Sequence, residues 1–466
     1  MQRKNFDLVV IGAGPGGYVA AIRAAQMGKS VALIEKGDLG GTCLNVGCIP
    51  TKTLIAGALV LNKVQHAKDF GIETGPVTFD YSKMKARKDS VVGKIRKSLE
   101  GLIQSNSITI FKGKAEFTAP NELKVADTEG HYLHFENAII ATGSEPLDIP
   151  AFRCDHKKIF NSSSILELSE LPKKIAIVGG GYIGCEFASL FAELGVQVTL
   201  IEALPSLLAA QGPMIADTMT RAFLKKGMDV ITGALVEGID LNENGISVRL
   251  KDKEAISADI ALISIGRKIT SAGLGLEKAG VQTSPRGEIL INDKMETSVP
   301  GIYAIGDVTG KCLLAHVASH QGIIAASNIC GEKALMDYTA VPAVIFTHPE
   351  IAMVGLTLEQ ATATGKEVNI GKFPFLALGK SIAAMETEGF AQVITDKKTG
   401  QILGAQIVGH EAASLIAEIA LAITNELTVE CISHTIHAHP TLSEAWHEAA
   451  LLAQGTPIHF PPKKKN

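Results

Sequence analysis

The N-terminal sequence contains a strand, a glycine-rich turn and a helix in immediate succession. Residues 6–11 are largely apolar and have the length of a buried strand, and residues 18–25 have the composition of a helix. Between them lie Gly12, Gly14 and Gly17, in the spacing that lets the chain turn, brings backbone N–H groups close to a pyrophosphate and allows close helix packing. Because a helix N-terminus attracts anions, this segment predicts a dinucleotide-binding unit.

The same arrangement recurs in the middle of the chain, where a strand at 174–178 is followed by Gly179, Gly181 and Gly184. A single glycine turn is a modest signal because such turns are common, but two copies that each include the strand and the helix are a strong one. The sequence therefore predicts an α/β fold with two Rossmann-like domains that bind two dinucleotides.

Each unit has a second strand that ends in a glutamate, Glu35 or Glu202, 18 positions past the last glycine of its turn. A carboxylate at this place suits a ribose diol and would repel a 2′-phosphate. Glu202 is followed by Ala203, and no arginine occurs until Arg221, so the second unit is predicted to bind NAD rather than NADP.

Length and charge exclude several classes of protein. At 466 residues the chain is long enough for about three or four domains. Its net charge of −4 gives no basis for binding nucleic acid or a membrane surface, and the basic run 463–465 is predicted to be a solvated tail. No apolar run is expected to approach the roughly 20 residues that span a bilayer. The unevenly spaced cysteines do not resemble a secreted disulfide framework, and the cytoplasm is the expected location.

Two cysteines five positions apart, Cys43 and Cys48, follow the first unit in a segment crowded with glycine and proline. Thiols this close can form a small disulfide ring without moving the rest of the chain, so they can serve redox chemistry. A metal site and a pair of buried thiols are the alternatives, but the remaining cysteines are scattered singly and supply no second pair of ligands. The sequence favours a redox-active pair, and no metal site is predicted.

Other buried strands end in turns that carry small or polar residues. One strand leads into Thr142 and Gly143, and another leads into Gly266. Asp307 follows a third strand, where its carboxylate can bond a hydroxyl of the first dinucleotide or can cap the following helix.

From residue 341 the pattern changes to strands with alternating apolar residues, followed by an apolar helix pattern at 412–423. This order predicts a separate α+β domain. Its apolar content suits a permanent subunit contact, although a buried core explains it equally well.

These motifs resemble the pyridine nucleotide–disulfide oxidoreductases over nearly the whole chain. The resemblance rests on both glycine turns, the cysteine segment, and the segments 141–143 (Ala-Thr-Gly), 303–307 (Tyr-Ala-Ile-Gly-Asp) and 437–444 (His-Ala-His-Pro-Thr-Leu-Ser-Glu). It implies FAD in the first unit, NAD in the second, and a homodimer whose C-terminal domain helps to build the other subunit's active site. The implied reaction is oxidation of dihydrolipoamide to lipoamide with reduction of NAD+, and the implied partner is the lipoyl domain of a 2-oxoacid dehydrogenase or glycine-cleavage complex.

The resemblance also implies a role for each residue of the redox site. Cys43 would exchange with the substrate, and Cys48 would lie next to the flavin as a thiolate. Lys52 would lie near the flavin ring with Glu186 as its partner. The alternatives for these two residues are an ordinary solvated lysine and a surface carboxylate.

His439 resembles the histidine that takes the proton of the substrate thiol in this family, and Glu444 resembles the carboxylate that orients it. Imidazole titrates near neutral pH, which suits this role. The segment 441–444 also has the pattern of a capping box, so that Glu444 could merely cap the next helix. His434 and His437 lie near enough to suggest a metal site with His439, but the cysteines and carboxylates that would complete it are missing.

The family pattern and the residues together predict the following positions. The cofactor contacts are Gly12, Gly14, Gly17, Glu35, Lys36, Gly41, Thr42, Lys52, Ala115, Thr142, Gly143, Gly179, Gly181, Gly184, Glu202, Gly266, Asp307 and Ala315. The domains are 1–145 (first part of the FAD-binding domain), 146–270 (NAD-binding), 271–340 (a central domain that completes the FAD site) and 341–466 (C-terminal interface or dimerisation domain). After Arg267, where Lys-Ile-Thr replaces the Pro-Asn common in the family, a local change in loop shape is expected.

Two alternatives were weighed against this function. A glutathione-type reductase is disfavoured by Glu202 and Ala203, where an NADP enzyme would have arginines, and by Thr51, where such enzymes usually have lysine. A flavin-binding subunit without turnover would have lost one of the two cysteines, the histidine or the glutamate of the site, and all four are present.

Overall fold

The first part of the chain forms a mostly parallel sheet with helices on its faces. In the computed structural model, residues 3–126 and 128–461 are described, so the basic run 463–465 lies outside them. The elements up to residue 146 are β1 (Arg3–Ile11), α1 (Pro15–Gln26), β2 (Val31–Glu35), α2 (Gly41–Val46), α3 (Cys48–Gln65), α4 (Tyr81–Ser105), β3 (Thr109–Lys112), β4 (Lys114–Ala119), β5 (Glu122–Ala126), β6 (Tyr132–Ile140) and β7 (Ser144–Pro146). The sheet order is β3-β2-β1-β6-β5-β4, and β1 pairs in parallel with β2 and β6. The second half of β1 is buried because elements cover both faces of the sheet.

The second part repeats this plan and adds a small antiparallel sheet. Its elements are β8 (Ile159–Asn161), β9 (Lys174–Val178), α5 (Tyr182–Glu193), β10 (Gln197–Ile201), α6 (Pro213–Lys225), β11 (Asp229–Ile231), β12 (Val236–Asn242), β13 (Gly245–Leu250), β14 (Ile256–Ala258) and β15 (Ile260–Ile263). The parallel sheet has the order β11-β10-β9-β15-β8, and β12-β13-β14 form the antiparallel sheet. The strand predicted at 174–178 is β9, with the same bounds.

The third part of the chain adds a strand and a helix to the first unit. Its elements are β16 (Arg267–Ile269), α7 (Leu276–Ala279), β17 (Ile302–Ala304) and α8 (Ala315–Ile329). β17 pairs in parallel with β6, and α8 packs so closely on α1 that a Cβ on Gly322 would lie 2.6 Å from the carbonyl oxygen of Gly16. The segment after Gly266, where a change in loop shape was expected, is the short strand β16, which pairs with β7 and links the two nucleotide units.

The fourth part is an α+β unit. Its elements are β18 (Ala343–Ile345), β19 (Glu350–Gly355), α9 (Leu358–Ala363), β20 (Val368–Pro374), α10 (Gly379–Ala384), β21 (Phe390–Asp396), β22 (Ile402–Gly409), α11 (Ala412–Thr424), α12 (Val429–His434) and α13 (Glu444–Gln454). The antiparallel strand order is β18-β19-β22-β21-β20. The predicted apolar helix at 412–423 is α11.

The central strands of this last sheet are buried on both faces. Val393 and Ile407 pack under α11 and α13, whereas Phe390 and Val408 join the core formed by α3 and α5. Neither β21 nor β22 therefore alternates between buried and exposed residues, although the apolar pattern of the sequence suggested a sheet with one buried face. The C-terminal sheet therefore shares one hydrophobic core with α5 and with α3, the helix that begins at Cys48.

The helical run Gly41–Gln65 corrects one expectation. By length and composition alone it is apolar enough to cross a membrane, so the expectation that no run approaches that length is wrong here. The physical reason is core packing: Gly47 divides the run into α2 and α3, and Leu54, Ala58 and Leu61 are buried in the protein core. Apolar core helices commonly match a bilayer span in composition.

Candidate active site

The two predicted glycine turns have the same backbone geometry. Gly12 and Gly179 have φ angles of +101° and +107°, in the left-handed region that favours glycine. A Cβ at these positions would lie 2.4 Å from the carbonyl oxygen of Ala141 and 2.5 Å from that of Ser264. Any other residue at either position would strain the turn and collide with the next strand of the sheet.

The remaining glycines of the turns create an open cradle at each helix N-terminus. A Cβ on Gly17 or Gly184 would lie 1.8 or 1.9 Å from the carbonyl oxygen of the first glycine of its own turn, so these positions permit close packing. A Cβ on Gly14 would have its nearest neighbour at 4.0 Å, and one on Gly181 would meet nothing within 4 Å. Gly14 and Gly181 are the N-caps of α1 and α5, and neither helix has a side-chain cap among the described residues. The space and the available N–H groups fit a pyrophosphate.

The two glutamates also occupy equivalent positions. One oxygen of Glu35 accepts a hydrogen bond from the N–H of Ala13 at 2.7 Å, and one oxygen of Glu202 accepts from the N–H of Gly180 at 2.5 Å. The other oxygen of each accepts from the N–H two residues further along, at 2.8 and 2.7 Å. Each carboxylate is thus fixed at the mouth of its turn, with lone pairs left to accept from ribose hydroxyls.

Asp307 lies where the two nucleotide units meet. The hydroxyl of Ser144 donates to its carboxylate, and Arg267 Nε lies 3.7 Å from the same carboxylate and 2.7 Å from the Ser144 hydroxyl. The alternative that Asp307 caps the next helix is wrong, because Leu314 is the N-cap of α8.

The side chain of Thr142 is a second indication of a ligand site. Its hydroxyl oxygen is buried and has no hydrogen-bond partner within the described ranges. Because buried polar groups normally have partners, this atom fits a contact with a bound cofactor. The neighbouring Gly143 has a φ of +71°, and its carbonyl accepts from the hydroxyl of Thr270 at 2.7 Å.

The other predicted cofactor contacts differ in their surroundings. Gly41 starts α2 and packs on the first turn, since a Cβ there would lie 2.7 Å from the Cα of Gly14. Thr42 and Ala315 are partly buried, Lys36 and Gly266 are exposed, and Ala115 is buried in β4. Their contacts with a cofactor stay predictions.

Cys43 and Cys48 lie on opposite sides of Gly47, the residue that separates α2 from α3. Both are partly buried free thiols. A hydrogen bond from Cys43 lowers the pKa of Cys48 to about 7, with Lys52 acting in the same direction against burial. The same hydrogen bond, together with burial, raises the pKa of Cys43. In the reduced site the negative charge therefore belongs on Cys48, and Cys43 keeps its proton.

The structure brings Lys52 and Glu186 together beside these thiols. Lys52 Nζ lies 2.7 Å from Glu186 Oε2 and 4.5 Å from the ring centre of Phe346. The other oxygen of Glu186 accepts from the N–H of Phe346 at 3.0 Å. The side chain of Glu186 is only 8% exposed, so the alternative of a surface carboxylate is wrong. No sequence pattern marks Phe346, which comes from the C-terminal unit.

His439 and Glu444 form a pair at the start of α13. His439 Nδ1 lies 2.8 Å from Glu444 Oε1, and the N–H of Thr441 donates to Glu444 Oε2 at 2.9 Å. Burial acts to raise the pKa of Glu444, but the hydrogen bonds from His439 and from Thr441 outweigh it and lower that pKa. The capping box is wrong, because the N-cap is Ser443 and the Thr441 hydroxyl donates to the carbonyl of Ala438.

The two halves of the predicted chemistry lie in different units of the chain. The groups that shift the pKa of Cys43 are Cys48 and Lys52, whereas His439 bonds within the C-terminal unit and its side chain is 78% exposed. In the described ranges, no group of three or more His, Cys, Asp or Glu side chains could hold a metal ion.

A charge cluster that no local sequence pattern marks joins three units around the buried side chain of Glu193. It is here called the Glu193 cluster (Asn62, Glu193, Lys226, His348 and Glu386). Asn62 of α3 donates to Glu193 Oε2 at 2.7 Å, and His348 Nδ1 lies 2.9 Å from Glu193 Oε1, which Lys226 also contacts. His348 Nε2 lies 3.8 Å from Glu386. The hydrogen bond to Glu193 raises the pKa of His348 to about 9; burial opposes ionisation of Glu193, but His348 and Lys226 lower its pKa to about 2.

Comparison with known proteins agrees with this fold. The family model described as pyridine nucleotide-disulphide oxidoreductase matches residues 6–322, and the dimerisation domain of the same family matches residues 341–450. The chain therefore belongs to the pyridine nucleotide-disulphide oxidoreductase family, which confirms the predicted family and fold class. The family uses FAD and NAD(H), which confirms the predicted cofactors, and the dimerisation domain supports a homodimer.

Full-length relatives from two bacteria carry the same name within this family. The chain is 51% identical over 460 residues to a dihydrolipoyl dehydrogenase of Chlamydia pneumoniae, with 99% of each chain covered. It is 43% identical over 458 residues to the protein of the same name from Geobacillus stearothermophilus, with 97% of each covered. Among solved structures, LpdA of Mycobacterium tuberculosis matches with a TM-score of 0.90 and 27% identity, covering 97% of this chain and 99% of that chain. The HOCl-induced flavoprotein disulfide reductase RclA of Escherichia coli matches with a TM-score of 0.87 and 30% identity, covering 96% and 99%.

Proposed function

We propose that this protein oxidises dihydrolipoamide to lipoamide and reduces NAD+ to NADH through the Cys43–Cys48 pair. The observation that carries the proposal is the thiol pair itself, with a low pKa at Cys48 and the Lys52–Glu186 ion pair beside it. The substrate follows from the full-length relatives that are named dihydrolipoyl dehydrogenase. Glu202, fixed at the second turn, supports NAD as the nucleotide.

The residues of the chain account for the exchange reaction. In the oxidised site the two cysteines form a disulfide. His439 takes the proton of one substrate thiol, and the resulting thiolate attacks the sulfur of Cys43. Cys48 leaves as a thiolate, which its low pKa favours. The second substrate thiol then attacks the substrate sulfur that is bound to Cys43 and closes the lipoamide disulfide. Its proton passes to the departing Cys43, so that two electrons stay in the protein dithiol. Bound FAD would accept this electron pair and supply it as a hydride to NAD+.

His439 is suited to take the proton of the substrate thiol. Glu444 Oε1 lies 2.8 Å from Nδ1 of His439, which favours the tautomer that carries its proton on Nδ1. In that tautomer Nε2 can accept the proton of the substrate thiol. The low pKa of Glu444 keeps the carboxylate charged, which favours the imidazolium formed during the reaction. Lys52 contributes a fixed positive charge that stabilises the Cys48 thiolate.

We further propose that each active site combines Cys43 of one subunit with His439 of the other. The exposure of the His439 side chain and its place in the dimerisation domain support this arrangement. Hybrid dimers made from Cys43→Ser chains and His439→Gln chains are expected to regain activity, because one of the two sites in each hybrid is intact. Turnover of affinity-separated hybrids measures this, and hybrids no more active than the two parent variants would contradict the shared site.

The partner and location are proposals of the same kind. Relatives named for a dihydrolipoyl substrate support a lipoyl domain of a 2-oxoacid dehydrogenase or glycine-cleavage complex as the carrier of the dithiol. The free thiols, which suit a reducing compartment, support the cytoplasm.

The experiment that tests the function is turnover of the purified, FAD-containing protein with dihydrolipoamide and NAD+, run beside an assay with oxidised glutathione and NADPH. NADH formation in the first assay alone is expected. Activity in the second assay alone would reject both the substrate and the nucleotide assignment.

A further inference from the structure

His437, two positions before His439, is fixed between two elements of the dimerisation domain. Its Nε2 lies 2.8 Å from the carboxylate of Glu418 on α11, and its Nδ1 lies 3.0 Å from the carbonyl oxygen of Thr435. The side chain is 6% exposed, in contrast to the 78% exposure of His439. The mechanism proposed above makes no use of this buried histidine.

Both ring nitrogens of His437 face hydrogen-bond acceptors. A neutral imidazole has one N–H and can donate to only one of them, whereas the imidazolium donates to both. The hydrogen bond to Glu418 accordingly raises the pKa of His437, against the effect of burial. The geometry therefore corresponds to a partly exposed ion pair between the buried ring of His437 and Glu418.

This ion pair anchors the chain just before the proposed base. The hydroxyl of Thr435 donates to the carbonyl of Cys431 in α12, so residue 435 is tied to one helix and His437 to another. The indole N–H of Trp446 separately ties α13 to the carbonyl of Leu415 in α11 at 2.9 Å. The segment that carries His439 is thereby held in place relative to the helix that carries Glu444.

The charge of His437 also acts on its neighbours from α13. Glu444 favours the charged form of His437, and the ring of His447 lies 5.6 Å from the ring of His437. A positive charge on His437 in turn favours the carboxylate form of Glu444. Glu418 from α11 and the two side chains from α13 are the titratable groups that face His437.

We propose that His437, held by Glu418, is a positioning residue for the His439–Glu444 pair. It places the segment that bears the base, and its contact with Glu418 holds that segment against α11. This inference rests on the proposed function, because it assigns a role to His437 in the oxidation of the dithiol.

The test uses the FAD-containing dimer and the variants His437→Gln and Glu418→Gln. Two reactions are compared: dihydrolipoamide with NAD+, which needs the base, and NADH with ferricyanide, which draws electrons from the flavin without it. We expect kcat/KM for dihydrolipoamide to fall about ten- to a hundredfold, since small misplacements of a reacting group have effects of this size. In His437→Gln the pH profile of kcat/KM should also change, because a charge that interacts with Glu444 is removed. The ferricyanide reaction should stay at the wild-type rate.

The exposed His434 offers a matched control, since His434→Gln makes the same substitution three positions away. This control should keep both reactions and the pH profile. In the double variant, kcat/KM for dihydrolipoamide should fall no further than in the more affected single variant, because both substitutions remove the same contact. Equal losses in both reactions would show a role in folding alone and would overturn the proposal, as would an unchanged pH profile in His437→Gln. Absence of dihydrolipoamide turnover in the wild type would instead reject the function itself.

Discussion

Replacing Cys48 with serine is expected to abolish dihydrolipoamide turnover while the fold and the FAD are retained. Serine cannot form the disulfide, and its hydroxyl does not ionise near neutral pH, whereas the Cys43 hydrogen bond and Lys52 hold the pKa of Cys48 at about 7. Loss of a group that the chemistry requires lowers kcat by about 10³ or more. Steady-state NADH formation measures this loss.

Absorbance spectra of the same variant test which cysteine lies beside the flavin. A thiolate in contact with the flavin produces a long-wavelength charge-transfer band, which we expect in the reduced wild type and in Cys43→Ser but not in Cys48→Ser. Cys431 is exposed, so Cys431→Ser is a matched control that should keep both the band and the turnover. A band that persists in Cys48→Ser would reverse the roles of the two cysteines.

Replacing Glu193 with glutamine is expected to have the largest effect on stability. Its carboxylate is 6% exposed and is the common partner of Lys226 and His348. Removing one partner from a buried charge cluster leaves the others uncompensated, which lowers the free energy of unfolding by about 3–5 kcal/mol. Thermal unfolding at matched protein concentration measures this, with the exposed Glu170→Gln as control.

The pH dependence of that effect follows from His348. Its pKa rises from 6.5 to about 9 on folding, so its contribution is fully present below pH 6.5 and is lost as the pH rises through about 9. Glu193 behaves in the opposite sense, since its pKa falls from 4.5 to about 2 and its contribution is lost only in acid. The difference in the free energy of unfolding between wild type and Glu193→Gln should therefore become smaller above pH 9. The part of the difference that comes from Lys226 should remain. A difference that is constant from neutral pH to above that pKa would show that His348 does not take part.

Features that depend on local sequence were predictable. A glycine at the first position of each turn follows from a φ that other residues adopt only with strain, and both turns have the expected geometry. The strand at 174–178 and the helix near 412–423 followed from continuous apolar patterns of the right length. The pairing of Lys52 with Glu186, 134 positions apart, was expected only from the family resemblance.

Features that depend on distant partners were not predictable. His348 and Glu193 are 155 positions apart, and no local pattern marks either as the partner of the other. At Glu444 the capping-box pattern was present, and the carboxylate does accept from the N–H of Thr441. The other half of the box is absent, because the Thr441 hydroxyl donates to the carbonyl of Ala438 and the helix begins two positions later than the box requires. A one-dimensional pattern does not show which of several donors an acceptor will bind.

The equivalence of the two glycine turns has a consequence for engineering the protein. Since Glu35 and Glu202 are held in the same way, neither turn by itself distinguishes a flavin from a nicotinamide nucleotide. We therefore expect the choice between the two coenzymes to depend on residues outside the turns, where the isoalloxazine or nicotinamide ring would lie. Grafts that exchange only the turns should leave coenzyme selectivity unaltered, and redesign belongs at the ring-binding residues.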